Sequence, residues 1–149
     1  MSTCYLSFFF CWGRITIFLM VQGKVALITG GDSGIGRSVA CYFAMEGATV
    51  AITYVPEIEE KDASETLGLL KDKYKSSHAK DPMKIAVDLG SEENCAKVIQ
   101  KVIDAYGQLD IVVNNAGEQH EVPKIENITA QQVERVFRTN IFSQFYITK

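Results

Sequence analysis

The sequence predicts an α/β fold in which about four strands form an incomplete, doubly wound parallel sheet of order 3-2-1-4. Three observations carry that expectation. Short apolar runs of strand length alternate with longer segments of helical periodicity. A glycine-rich turn, Thr29-Gly30-Gly31-Asp32-Ser33-Gly34-Ile35-Gly36, joins the first run to the first periodic segment. A second turn, Asn114-Asn115-Ala116-Gly117, follows the fourth run.

Val25 to Thr29 is aliphatic and β-branched and reads as the first strand; Ile35, Val39, Tyr42, Phe43 and Glu46 then follow helical spacing up to a stop at Gly47. Ala48 to Tyr54 is a continuous apolar run of the kind buried on both faces of a parallel sheet, and Pro56 ends it. Lys61 to Ser77 places Ala63, Leu67, Leu70 and Tyr74 on one face and charge on the other, the pattern of a helix lying on the sheet. Met83 to Val87 is the third strand. Ser91 supplies an N-cap, Glu92 and Glu93 an acidic first turn, and Cys95, Val98, Ile99, Val102, Ile103 and Tyr106 a stripe that Gly107 closes. Leu109 to Val113 is the fourth strand. Thr129 and Gln132 form a capping box that opens a helix whose buried face is expected to hold Val133, Val136, Phe137, Ile141 and Phe145. Alternation of this kind specifies right-handed βαβ units and hence a Rossmann-type sheet, with its topological switch point between strands 1 and 4.

The 149 residues, 47% hydrophobic and 22% charged, suit one domain able to bury a core. A net charge of −3 without a basic block argues against nucleic acid as a partner. Cys4, Cys11, Cys41 and Cys95 form no C-x-x-C pair, and His78 and His120 stand apart, so neither a metal site nor a disulfide framework is expected and a reducing, cytoplasmic setting is favoured. Residues 1–22 are almost wholly apolar, divided by Gly13-Arg14. A signal peptide wants a positive n-region and a small-residue cleavage site, and Arg14 inside a membrane helix would cost about 2.5–3.5 kcal/mol. The favoured expectation is a leader foreign to the domain, from an alternative exon or an upstream start, with membrane anchoring the minority reading and the domain occupying 23–149.

Chemistry concentrates at the two turns. A tight strand-to-helix turn requires φ > 0, and a backbone without Cβ lets a pyrophosphate approach the helix N-terminus, where the N–H groups of Ser33, Gly34, Ile35 and Gly36 would face it. Asp88, just past strand 3, is placed to accept from an adenine amino group; the plainer alternative is a turn Asp bonding its own backbone. Tyr54 ends strand 2, where an acid would bind an adenosine 2′-hydroxyl and a base a 2′-phosphate. Asp32, Glu57, Glu59 and Glu60 would repel a phosphate, whereas Lys61 or Arg37 would attract one, so NAD is favoured and NADP stays open. Asn140 falls on a helix face that is otherwise apolar, where an unpartnered amide costs about 1–3 kcal/mol. Glu118, Gln119 and His120 follow the second turn at the crevice mouth; a loop His is more often simply solvated. Asn127-Ile128-Thr129 is a glycosylation sequon, but Thr129 is better used as a cap.

Thr29 to Gly36, Asp88-Leu89, Asn114 to Gly117 and Asn140, in this order and on these elements, resemble the short-chain dehydrogenase/reductase family over residues 23–149. Gly30 to Arg37, Ala51 to Val55, Asp88-Leu89-Gly90 and Arg138 to Ser143 are most similar to the plant glucose and ribitol dehydrogenase homologues and related bacterial oxidoreductases. The resemblance implies the N-terminal part of a dinucleotide-binding domain that holds NAD or NADP through Thr29, Gly30, Ser33, Gly34, Ile35, Gly36, Tyr54, Asp88, Leu89, Asn115, Ala116 and Gly117. Ala116 and Gly117 would leave room for the ribose, and the Asn114 side chain would tie the end of strand 4 to its neighbours. It also implies a catalytic Asn140 holding a water in a proton relay, and oxidation of CH–OH groups on a small polyol or sugar-like substrate.

The family's Ser and Tyr-x-x-x-Lys arise on strand 5 and the helix after it. Tyr146-Ile147-Thr148-Lys149 has the wrong spacing and lies on the wrong helix. The chain is therefore expected to be truncated before the catalytic residues and inactive alone; the alternative is a nucleotide-binding fragment or partner-binding module. Ile111-Val112-Val113 on an open edge points to association, in the form of a homo-oligomer.

Overall fold

The computed structural model describes residues 21–72 and 79–149. The apolar leader up to residue 20, Tyr74 and His78 lie outside the described residues. Four parallel strands, β1 (Val25–Ile28), β2 (Thr49–Tyr54), β3 (Met83–Ala86) and β4 (Ile111–Val113), stand in the order β3-β2-β1-β4. Each lies within its predicted run. The helices are α1 (Gly34–Met45), α2 (Glu60–Asp72), α3 (Glu92–Tyr106), α4 (Ala130–Phe137) and α5 (Ser143–Thr148). One π-helical turn, Arg138–Phe142, joins α4 to α5, and a short 3-10 turn, Ile125–Asn127, precedes them.

Both faces of the sheet are covered. Along β1, Val25 and Leu27 face one cluster with Ala51, Ile85, Val98, Val102 and Ile147, while Ala26 and Ile28 face the other with Ala40, Ala44, Val50, Ile52 and Leu70. This is the period-2 alternation of a strand buried on both sides, and it fixes the register: a slip of one residue would exchange the two faces. The caps of α3 form as predicted. Ser91 accepts from the Asn94 N–H, and Gly107 ends the helix at φ 83°. Thr129 and Gln132 complete the capping box of α4.

One helical segment buries a different face from the one expected, and α1 seats its smallest residues deepest. In α1 the residues against the sheet are Gly36, Ala40 and Ala44, while Ile35, Tyr42 and Met45 are exposed. Small residues at i, i+4 and i+8 let this helix lie close to the strands, and Val39 and Phe43 pack partly buried at the border of the same cluster. The segment reversed is α4–π–α5, where Val136 alone of the expected face stays partly buried. Thr139, Ser143 and Ile147 are buried where α5 packs on α3, whereas Val133, Phe137, Ile141 and Phe145 are exposed, Phe145 by 70%. The inward hydroxyls are satisfied locally, Thr139 donating to the Glu118 carboxylate and Ser143 to the Thr139 carbonyl, so a polar face can be buried at little cost. Ile103 of α3 is likewise partly exposed.

This facing is testable by urea denaturation. Ser143→Leu, which forces a large chain between α5 and α3, should cost about 1–3 kcal/mol, and Phe145→Ser should stay within about 0.5 kcal/mol. The opposite ranking would return the apolar stripe to the core.

Candidate functional site

The carboxyl ends of β1 and β4 are joined through one hydroxyl. Thr29 is 2% exposed; its Oγ1 donates to the Val113 carbonyl (3.3 Å) and accepts the N–H groups of Asn115 (2.9 Å) and Ala116 (3.0 Å). The Asn115 side chain returns the link, its Nδ2 donating to the carbonyls of Thr29 (3.0 Å) and Gly30 (2.9 Å). Asn115, and not Asn114, therefore ties the strand end; Asn114 is exposed. On the other side Gly30 N–H reaches Thr53 Oγ1 (3.1 Å) and Gly31 N–H the Thr53 carbonyl (3.0 Å), so the glycine turn is fastened to β2 as well.

The turn opens directly into α1. Gly30 and Gly34 have positive φ, 61° and 51°. A Cβ on Gly36 would lie 2.1 Å from the Gly30 carbonyl oxygen and 2.6 Å from Asn115 Nδ2, so only glycine admits this closeness of helix and turn. A Cβ on Gly34 would meet nothing within 4 Å, which places open space at the helix mouth. Ser33 occupies the N-cap without a capping side-chain bond, and the first turn carries no acid. The N-terminal partial positive charge of α1 is thus not neutralised by its own side chains. Ile35, 77% exposed, flanks the opening.

At the end of β2 the negative charge is organised. Glu59 accepts the Val55 N–H (2.7 Å), and Glu60 accepts from the Tyr54 hydroxyl and pairs with Lys84. Lys84 also stands 5.3 Å from the centre of the Tyr54 ring. The Glu60 hydrogen bond, burial and the Glu60 charge together push the Tyr54 phenol up to about 12. Tyr54 is buried, and its hydroxyl is committed to Glu60. Arg37, weighed in the sequence as a phosphate partner, donates to the Asp32 carbonyl (2.8 Å) and lies near Asp62 and Glu65.

A second cluster sits where the β3 turn meets α4. Asp88 Oδ1 accepts the Gly90 N–H (2.8 Å), the local turn bond, while Oδ2 pairs with Arg135 Nη1 (2.8 Å). Burial acts to raise the Asp88 carboxyl, but the Arg135 and Gly90 hydrogen bonds and the Arg135 charge outweigh it and hold it below its ordinary value. Arg135 Nε also binds Glu118 (2.9 Å), which pairs with His120 (2.8 Å). Asn140, in the π turn, clamps the Glu118 backbone: its Oδ1 accepts the Glu118 N–H (2.7 Å) and its Nδ2 donates to the Glu118 carbonyl (2.9 Å). The amide that looked anomalous on an apolar face is satisfied, and a π turn of this kind often marks a functional position. Leu89 is buried in the core, so only its backbone faces the turn; Ala116 packs against the same cluster.

Sequence reasoning missed Arg135, Thr139 and Thr53. A signal for Arg135 existed: Arg138 has Glu134 as its i−4 partner, whereas the residue four before Arg135 is Gln131. No group of three or more His, Cys, Asp or Glu among the described residues is arranged to hold a metal, and no helix among them is long and apolar enough to cross a membrane.

Thr29→Val should cost about 1–3 kcal/mol in urea denaturation, because two N–H donors lose their acceptor, whereas Thr29→Ser should cost about 1 kcal/mol. Asp88, its folded value depressed, contributes stability that is intact above its ordinary value of 3.8 and lost as the pH falls below it. Asp88→Asn should therefore flatten the acid limb of stability measured between about pH 5 and 2.

The model for short chain dehydrogenase matches residues 24–149. Over 129 residues the chain is 58% identical to the glucose and ribitol dehydrogenase of Daucus carota and 57% identical to the NADPH-dependent aldehyde reductase 1, chloroplastic, of Arabidopsis thaliana; each match covers 87% of this chain and 44% of the relative. Among solved structures, a short chain dehydrogenase of Burkholderia cenocepacia in complex with NADP superposes with a TM-score of 0.75 at 28% identity, covering 86% of this chain and 49% of that one. The 3-ketoacyl-(acyl-carrier-protein) reductase of Brucella melitensis complexed with NADH gives 0.72 at 29%, covering 85% and 48%. The chain spans less than half the length of these curated relatives, and over that span it belongs to the short-chain dehydrogenase family.

Proposed function

We propose that this chain holds a nicotinamide dinucleotide across the carboxyl ends of β1 and β4, as the cofactor-binding part of an oxidoreductase acting on CH–OH groups of small polyol or sugar-like substrates. The observation that carries the reading is the helix mouth: an N-terminus of α1 with no side-chain cap, open space at Gly34, and a turn clamped by Thr29, Thr53 and Asn115. A pyrophosphate fits the unneutralised N–H groups of Ser33, Gly34, Ile35 and Gly36. Gly30, Ala116 and Gly117 line the approach to the ribose, Tyr54 and Leu89 bound the adenosine end, and Asp88 accepts from the adenine amino group. When bound, the nicotinamide supplies the hydride acceptor. Asn140 holds Glu118 and with it the backbone after Gly117, and in a longer chain its π turn would hold the water of the proton relay.

NAD is favoured over NADP. Carboxylates of Glu59 and Glu60 stand at the end of β2, and the nearby cations Lys84 and Arg37 are already drawn to acids. The Glu59 and Glu60 carboxylates would repel a 2′-phosphate there, against the attraction of the exposed Lys61. The NADP- and NADH-bound structures and the NADPH-dependent plant relative support the dinucleotide class.

Residues 1–149 contain no Tyr-x-x-x-Lys, and we expect them to bind cofactor without turnover. The exposed stripe Val133, Phe137, Ile141 and Phe145, together with the edge strand β4, favours self-association, the form a homo-oligomer or partner-binding module would take. We place the protein in a reducing compartment, the cytoplasm by preference; Cys95 is buried, its Sγ donates to the Leu89 carbonyl, and burial pushes the thiol up to about 11.

Titration calorimetry on the purified chain should show NAD+ binding more tightly than NADP+. Ile35→Glu, at an exposed position, should leave stability within about 0.5 kcal/mol yet weaken NAD+ at least about tenfold by setting a carboxylate beside the pyrophosphate. Unchanged affinity in that variant would remove the helix mouth from the site. Polyol-dependent NAD+ reduction by the chain alone would contradict the expectation of binding without turnover.

A further inference from the structure

Arg135 joins two parts of the crevice that are distant in sequence. Its Nη1 binds Asp88 after β3 and its Nε binds Glu118 after the second turn, which Thr139 Oγ1 (2.9 Å) and the Asn140 amide also hold. The guanidinium lies so near the β3 turn that a Cβ on Gly90 would come within 2.6 Å of Nη1. Asp88 has one oxygen on the Gly90 N–H and the other on Arg135, yet its side chain is 46% exposed. Each carboxylate oxygen retains a second acceptor site.

We propose that Arg135 is a positioning residue for adenine recognition: it fixes the Asp88 carboxylate as an oriented acceptor for the 6-amino group of the adenine ring. The proposal rests on the dinucleotide reading above. Without the guanidinium, Asp88 keeps only its turn bond, its carboxylate rotates and hydrates, and ordering it becomes a cost of each binding event. A fork donor is suited to holding two carboxylates at once, which a lysine ammonium cannot do with the same geometry.

The test compares NAD+ with nicotinamide hypoxanthine dinucleotide, which carries a carbonyl in place of the 6-amino group, by titration calorimetry on the full chain. The wild type should prefer NAD+ by about tenfold, the scale of one hydrogen bond to a charged acceptor. Arg135→Ala should reduce the ratio to about threefold or less, with Arg135→Lys in between. Gly90→Ala offers a route that leaves Arg135 in place: the added methyl meets the mobile end of its side chain and Asp88 Oδ1 at 3.1 Å, so the guanidinium shifts and the ratio should again fall. In an Asp88→Asn background, Arg135→Ala should change the ratio no further. A merely structural role would weaken both ligands equally. Binding of both dinucleotides with a ratio that Arg135→Ala and Gly90→Ala leave unchanged overturns this inference alone, whereas no binding of either by the wild type overturns the dinucleotide reading and this inference with it.

Discussion

One buried hydroxyl constrains the crevice. Thr29 Oγ1 takes two N–H groups from the β4 end and gives its proton to Val113, so the two strands flanking the topological switch point are held at one separation just where they cease to pair. Everything that makes the site depends on this joint. It sets Asn115 within reach of the Thr29 and Gly30 carbonyls, and the Gly30 carbonyl with Asn115 Nδ2 leaves no room for a side chain at position 36. The closeness of α1 to the turn, and hence the aim of its N-terminal dipole, follows from a threonine, an asparagine and a glycine acting together.

The electrostatics divide the crevice in two. At the helix mouth, neither the N-cap side chain nor the first turn of α1 compensates the partial positive charge, which favours an anion. At the ends of β2 and β3 the carboxylates are paired but not silenced: Glu60 with Lys84 and Tyr54, Asp88 and Glu118 with Arg135. An anion is favoured at one end and a donor-rich, uncharged group at the other. That polarity matches a dinucleotide lying with its pyrophosphate on α1 and its adenosine across β2 and β3. The fixed pairs also mean that little reorganisation is required on binding.

Strand order and most helix boundaries were legible because they depend on short-range signals. β1 and β2 are apolar on both faces, Ser91 and Thr129 are strong caps, and Gly107 has the left-handed φ that glycine favours. What could not be read was which face a helix buries when two candidate faces compete. Val133, Phe137, Ile141 and Phe145 form the more hydrophobic stripe, yet Thr139, Ser143 and Ile147 are the residues buried, because hydroxyls that bond locally can be buried and small chains let α5 approach α3. The site was legible where glycine spacing dictates backbone form, and not where partners are long-range. The pairing of Asp88 with Arg135 spans 47 positions, and the exchange of Asn114 for Asn115 depends on which side chain the end of β4 directs at Thr29.

The central claim is that the crevice between β1 and β4 receives the dinucleotide, and backbone amide NMR of the chain titrated with NAD+ tests it most directly. The account predicts saturable shifts concentrated at Ser33 to Gly36 and Asn115 to Gly117, with smaller ones at Asp88 to Gly90. Saturable shifts confined to the exposed face of α4, around Gln131, Glu134 and Arg138, with the glycine turn unmoved, would contradict it.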